Sequence, residues 1–148
     1  MINAAFRDTA TVERMVTRRV DQTARLHAAL VERGLPVFTP AAGHCLVLDV
    51  ADYLDCAAYR NPVTAFLAWV YAHAGVRGGM HVTGMARQFA LPTLVRFAVP
   101  LFTPDARLDA ATQALVSALA SLDRIPDLEK VSADPGIAGI MHARYRLR

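Results

Sequence analysis

Residues 93–100 read TLVRFAVP, and this stretch decides the fold. Its β-branched, aromatic and small residues suit a pleated strand, and Pro100 cannot extend a ladder. Side chains alternate along a strand, so Leu94, Arg96 and Ala98 share one face and Val95, Phe97 and Val99 the other. One face is wholly apolar. The other carries a guanidinium at its midpoint.

Working outward, the stretch 43–50, GHCLVLDV, predicts a second strand, apolar on both faces after His44 and therefore central in its sheet. VRGGMHV (76–82) reads as extended, with two glycines that permit a bulge or the close approach of another group. LPVFTP (35–40) is a short extended segment between prolines, and LEKVSADP (128–135) and MHARYRLR (141–148) are extended as well.

Three helices separate these segments. Residues 9–33 repeat apolar positions at helical spacing, Val12, Met15/Val16, Val20, Thr23, Leu26 and Leu30, before Gly34 and Pro36 stop the helix. Residues 61–75 begin with Asn61 as cap and Pro62 at the first helical position, and end at Gly75. Residues 105–122 form an amphipathic helix with Asp105 as its cap. The links between several strands are too short for parallel crossovers. The order α-β-β-α-β-β-α-β-β thus predicts an α+β fold, a small, mostly antiparallel sheet with helices packed on one face. The chain reads as one domain over 1–148, a long leading helix at 9–33 followed by the body at 34–148.

The chain has 148 residues, 54% hydrophobic and 20% charged, enough for a real core and too apolar for disorder. No apolar run is long enough to span a bilayer, and the N-terminus lacks the charged and apolar regions of a secretory signal. Cys45 and Cys56, the only cysteines, have no framework spacing and suit a reducing cytoplasm. The net charge of +3 is too small and scattered to imply nucleic acid. Of the 16 cations only Lys130 is a lysine, so chemistry needing an amine side chain has one candidate. There is no glycine-rich phosphate loop and no metal-ligand spacing. In MHARYRLR, His142, Arg144, Arg146 and Arg148 fall on one side of the strand, suiting an edge guard or protein contact better than nucleic acid.

Arg96 has three readings on spacing alone. It pairs with an internal carboxylate, it stands on an exposed sheet face, or its planar fork holds a carboxylate or phosphate through two parallel hydrogen bonds.

Taken together, GHCLVLDV, AHAGVRGGMHV, TLVRFAVP and the terminal ADPGIAGIMHARYRL resemble the C-terminal region of the tryptophanase and tyrosine phenol-lyase family. These are pyridoxal-phosphate-dependent β-eliminating lyases of fold type I. RRVDQTARLHAALVERGLPVFTP resembles the long helix and link that lead into that region. The likeness covers nearly all of this chain and roughly the last third of the family's chain.

The resemblance implies that Arg96, in the family's R-h-x-h-P strand (h is apolar), grips the α-carboxylate of an amino-acid substrate. His81 and Met80 fall where the family lines the leaving-group pocket. Histidine there is neither the arginine of phenol-lyases nor the apolar residue of tryptophanases. Ile140 and Met141 stand where an aromatic pair closes over the substrate ring, giving an aliphatic lid. His44 takes a supporting place near the domain junction, with an ordinary buried histidine as its plain alternative, and Arg77 a place in local or interface pairing. Leu101 and Phe102 replace basic residues common after the family's proline.

The family's Schiff-base lysine and cofactor-binding residues lie upstream of the region matched, and nothing here corresponds to them. The resemblance therefore implies a small subunit or stand-alone C-terminal domain of a split lyase. Pyridoxal phosphate would be bound mainly by a separate large-domain chain, in a cytoplasmic hetero-oligomer acting on an amino acid. Without that partner, self-association is expected. The alternative is a non-catalytic interaction or regulatory protein that keeps the fold.

Overall fold

The structure, a computed structural model, describes residues 8–41, 43–80, 93–135 and 141–148. The leading helix, α1, spans Thr9–Glu32. Asp8 caps it, its carboxylate accepting from the Thr11 amide at 3.1 Å and so satisfying one orphan donor of the first turn. At the other end Gly34 adopts φ of +67°. The Leu35 amide then reaches back to the Leu30 carbonyl at 3.0 Å, a left-handed closure that favours glycine.

The segment 35–40 lies beside the next strand but forms no ladder. Its Phe38 amide donates to the Val47 carbonyl at 3.0 Å, and the Tyr53 hydroxyl donates to the Pro36 carbonyl. Burial pushes that hydroxyl well above the usual tyrosine range. Pro36 and Pro40 have no amide to donate, which explains the missing strand.

Strand β1 is Cys45–Asp49, followed by two short 3-10 turns, Val50–Asp52 and Cys56–Ala58. Helix α2 is Pro62–Ala74, β2 is Gly79–Met80, β3 is Leu94–Ala98 and α3 is Asp105–Ala120. Strands β4, Leu128–Pro135, and β5, Met141–Leu147, complete the order. The first sheet runs β1-β3-β2 and is antiparallel throughout, with Val47 and Gly79 flanking Arg96 on either side. Strands β4 and β5 form a separate antiparallel pair with an irregularity between Lys130 and Ser132. The fold is α+β, as the order of elements predicts.

The core lies on one side of the first sheet. Leu46, Leu48, Val95 and Phe97 point inward to meet Leu26 and Leu30 of α1, Phe66 and Val70 of α2, and Leu115 and Leu119 of α3. Truncating a side chain as deeply buried as Leu30, Phe66 or Phe97 costs about 2–5 kcal/mol.

Four expectations from the sequence need correction. The middle strand of the sheet is β3, with β1 at an edge. Cys45 and Val47 make the outward face of β1 apolar up to Asp49 without belonging to a central strand. Asn61 sits at the cap position of α2 but donates to the Leu128 carbonyl at 2.8 Å instead of capping. Pro62, whose fixed φ suits a helix start, begins α2 without that bond. Pro104 holds the cap position of α3, and Asp105 is the first helical residue. Its carboxylate turns to α1, accepting from Gln22 at 2.9 Å and from Arg18 at 3.0 Å. Finally, only Gln22, Thr23, Leu26 and Leu30 of α1 are buried. Val12, Val16 and Val20 are exposed although they continue the same apolar series.

Candidate functional site

Arg96 stands at the centre of β3, the middle strand. Strand pairing sets its company. Residues paired across an antiparallel ladder share a face, so Cys45, Val47 and Asp49 of β1 and Gly79 of β2 lie on the same face as Leu94, Arg96 and Ala98. Leu94 and Cys45 are buried, Val47, Asp49 and Gly79 half-buried, and Arg96 and Ala98 exposed. The guanidinium thus rises from the middle of a largely apolar face, opposite to the face that packs on the helices.

The acidic residue nearest in register is Asp49, paired with Leu94. Its carboxylate is already engaged. It accepts from the Ala51 amide at 3.0 Å, capping the 3-10 turn, and from the Thr93 hydroxyl. The Arg96 side chain makes no hydrogen bond or ion pair among the described residues, whereas Arg18, Arg25, Arg60, Arg146 and Arg148 all pair with carboxylates. Of the readings open from spacing alone, internal pairing is absent among the described residues. An exposed fork on a sheet face is what stands there.

Two glycines shape the flank of this face. A Cβ on Gly78 would come within 2.6 Å of both the Leu67 side chain and the Phe97 ring. The bare backbone therefore lets the lead-in to β2 sit directly on the core. A Cβ on Gly79 would meet nothing within 4 Å among the described residues. Gly79 leaves open space beside the guanidinium of Arg96, its partner across the ladder.

The other residues singled out from the sequence are placed as follows. Met80 pairs with Val95, so it lies at the sheet edge on the face opposite Arg96 and is exposed. His44 is exposed in the turn before β1, and its carbonyl accepts from the Val99 amide at 2.9 Å. The buried-histidine alternative is thereby removed. Arg77 is exposed and has no ion pair among the described residues. It lines a cleft of about 440 Å³ with Phe97, Val99, Phe102, Arg107 and Leu108. The backbone of Met141 opens β5 opposite Pro135. His81 and Ile140 lie outside the described residues. The structure does not bring Met80 to Arg96, and Arg77 lines a cleft that Arg96 does not.

The basic end of the chain forms local pairs. Arg146 donates twice to one Glu129 oxygen, at 3.1 and 2.8 Å, and Arg148 lies 3.5 Å from Asp127. Hydrogen bonding by Arg146, with its charge, holds the Glu129 carboxyl below the usual carboxylate range. Lys130 is exposed on β4, opposite Tyr145, and belongs to a different sheet from Arg96. Among the described residues no group of three or more His, Cys, Asp and Glu could hold a metal ion. No described helix is long and apolar enough to cross a membrane.

Comparison with known proteins finds low-identity relatives over most of the chain. The chain is 32% identical to a probable tryptophanase of Halobacterium salinarum strain R1 over 135 residues, 86% of this chain and 29% of that protein. It is 29% identical to a probable tryptophanase of Aeropyrum pernix over 139 residues, 88% of this chain and 30% of that protein. The chain is tryptophanase-like over most of its length. It spans about three tenths of the length of these curated relatives. No family model matches it.

Tryptophanase-like proteins imply pyridoxal phosphate at the level of the family. The one amine side chain, Lys130, is exposed on β4, in the hairpin sheet, and Arg96 stands in the other sheet.

Proposed function

We propose that this chain is the substrate-gripping component of a pyridoxal-phosphate-dependent lyase, and that a second, larger polypeptide brings the lysine and the cofactor. The observation that carries this reading is the exposed guanidinium of Arg96, without a partner among the described residues, at the middle of the central strand. An arginine fork binds a carboxylate through two parallel charge-assisted hydrogen bonds. Val47, Leu94 and Ala98 around it are apolar, so a covering partner would exclude water and strengthen that ion pair. The chain's own contribution is therefore binding and orientation of the amino acid.

His81 and Met80 near the leaving group, and Ile140 and Met141 as an apolar lid, belong to this proposal through the family likeness. For Met80, edge placement on the opposite face means that it would reach a pocket around the sheet edge, in company with a partner surface. His44 and Arg77 are assigned supporting places at the junction.

The test is to co-express the chain with a candidate large-domain polypeptide from the same genome and follow the visible absorbance of bound pyridoxal phosphate. The wild-type complex should bind an amino acid with a spectral change, and Arg96→Ala should assemble equally well and lose most of that response. Unchanged amino-acid binding in Arg96→Ala removes the arginine from the site. A chain that joins an intact lyase without altering its amino-acid binding is the regulatory protein of the alternative reading.

A further inference from the structure

The cleft of about 440 Å³ at the end of β3 combines an apolar floor with two arginines. It opens between residues 75–77, the loop 99–104 and the first turns of α3. Leu26, Phe97, Val99 and Leu108 line it and are buried, so its floor is the hydrophobic core itself. Its volume falls in the range of sites that hold small organic molecules.

Arg77 and Arg107 line this cleft together and are exposed. Neither side chain makes a hydrogen bond or ion pair among the described residues. Arg107 stands between Asp105 and Asp109 in the sequence, but residues two apart on a helix do not face each other. Both carboxylates turn instead to α1, where Arg18 and Arg25 hold Asp105 and Arg25 also holds Asp109. At three and four places from Arg107 the chain carries Thr103, Pro104, Ala110 and Ala111, none of them acidic. An arginine stem lies along apolar surface and keeps its charged head in water. Two guanidinium heads therefore stand at the mouth of an apolar cleft.

The wall facing them is built in advance. Arg19 donates to the Val99 carbonyl at 2.6 Å and Gln22 to the Thr103 carbonyl at 2.9 Å, which fastens the loop to α1 at both ends. From that loop Phe102, 78% exposed, lines the cleft with an aromatic ring. The wall offers few polar donors of its own. Pro100 and Pro104 have no amide, and the Thr103 hydroxyl donates to the Pro100 carbonyl at 2.7 Å. Recognition of a polar head thus falls to the two arginines, and an arginine fork matches the two oxygens of a carboxylate.

We infer that this cleft binds a small carboxylic acid with an apolar body, its carboxylate held by Arg77 and Arg107 and its body laid on Phe97, Val99 and Leu108. Arg96 does not line the cleft, so this is a second site. The inference does not depend on the function proposed above, and it gives Arg77 a ligand of its own beside the supporting place named there.

Calorimetric titration of the full chain with phenylpropionate tests the inference. Phenylpropanol supplies the same body without the charge, and inorganic phosphate supplies charge without the body. Phenylpropionate should bind saturably, one per chain, and about tenfold or more tightly than phenylpropanol, since hydrogen bonds to charged groups are the strong ones. Arg77→Gln and Arg107→Gln change exposed positions, so each should keep the melting curve of the chain and weaken phenylpropionate about fivefold or more. Added salt should weaken the acid and leave the alcohol unchanged. Phosphate should displace phenylpropionate only at far higher concentration. Equal binding of acid and alcohol, or undiminished binding in both glutamine variants, would show that the arginines take no part. Displacement by phosphate at matching concentration would show that the apolar floor takes none. Each of these results overturns the inference. Binding that is lost in Arg96→Ala and kept in both glutamine variants puts the acid on the sheet face and overturns it too, as does a wild-type chain that takes up no phenylpropionate at millimolar concentration.

Discussion

Gly79 stands directly opposite Arg96 across the β2–β3 ladder, and no atom of the described residues lies within 4 Å of where its Cβ would be. The pairing puts that space on the same face as the guanidinium. A side chain at 79 would fit without strain and would stand where an anion held by Arg96 needs room. Gly79→Val is therefore expected to leave the stability of the chain within about 0.5 kcal/mol of wild type, since valine suits a strand. In the assembled complex it should weaken amino-acid binding about tenfold, a loss of about 1.4 kcal/mol. Titration of the complex, set beside a denaturant melt of the chain alone, checks both halves. Equal binding would show that the ligand does not approach along this flank.

Arg96→Lys separates charge from shape. Lysine keeps the cation but presents a point charge instead of a planar fork. If two parallel hydrogen bonds hold the carboxylate, Arg96→Lys should bind amino acid at least tenfold more weakly than wild type and still more tightly than Arg96→Ala. Removing charge-assisted hydrogen bonds of this kind costs about 1.5–3 kcal/mol each. Binding by the lysine variant equal to wild type would mean that the site needs only positive charge.

Gly78 differs from its neighbour. Its missing Cβ is what lets the backbone sit within contact of Phe97, which is 2% exposed, and of Leu67. The Leu67 methyl can rotate aside, but the Phe97 ring is packed on all sides. Gly78→Ala is expected to destabilise the chain by about 1–3 kcal/mol through overpacking, read as a lower urea midpoint. Adding Phe97→Leu, which trims the ring, should make the combined loss smaller than the sum of the two single losses. Strict additivity would place the strain elsewhere.

The helices and the ladder partners were legible because periodicity and punctuation act locally. Gly34 and Gly75 end helices by backbone conformation, and TLVRFAVP carries its own alternation. What covers a face is not local. Val12 and Leu26 belong to one helical series and read alike, yet only Leu26 meets the core. Cys45 and Val47 made 43–50 read as a central strand, but their apolar side is the one that surrounds Arg96. Asn61 and Asp105 are good caps by type, and each is drawn to a longer-range partner, the Leu128 carbonyl and the α1 side chains Gln22 and Arg18. Arg96 stood out in the sequence because a mid-strand guanidinium is rare. The absence of a partner among the described residues became visible only once Asp49 was seen engaged with Thr93 and Ala51.

Acid should loosen the α1–α3 clasp and the β4–β5 hairpin together. Asp105 is held below the usual carboxylate range chiefly by the hydrogen bond from Gln22, with the charges of Arg18 and Arg25 adding to it against partial desolvation. Glu129 is held down chiefly by hydrogen bonding from Arg146 and by that residue's charge. A carboxyl whose value is lower folded than unfolded binds protons more readily in the unfolded chain. Its stabilisation is therefore complete above the ordinary carboxylate range, at about pH 5 and higher, and is lost as pH falls through the depressed folded values below about 4. Melting temperatures taken from pH 7 to pH 3 should fall over that window in wild type. Asp105→Asn and Glu129→Gln should each melt lower at pH 7, fall less steeply, and meet the wild-type curve at the acid end. Because both pairs are exposed, added salt should shrink the gap at pH 7. Curves that stay parallel through the acid range would mean that these carboxylates contribute nothing to the fold beyond their packing.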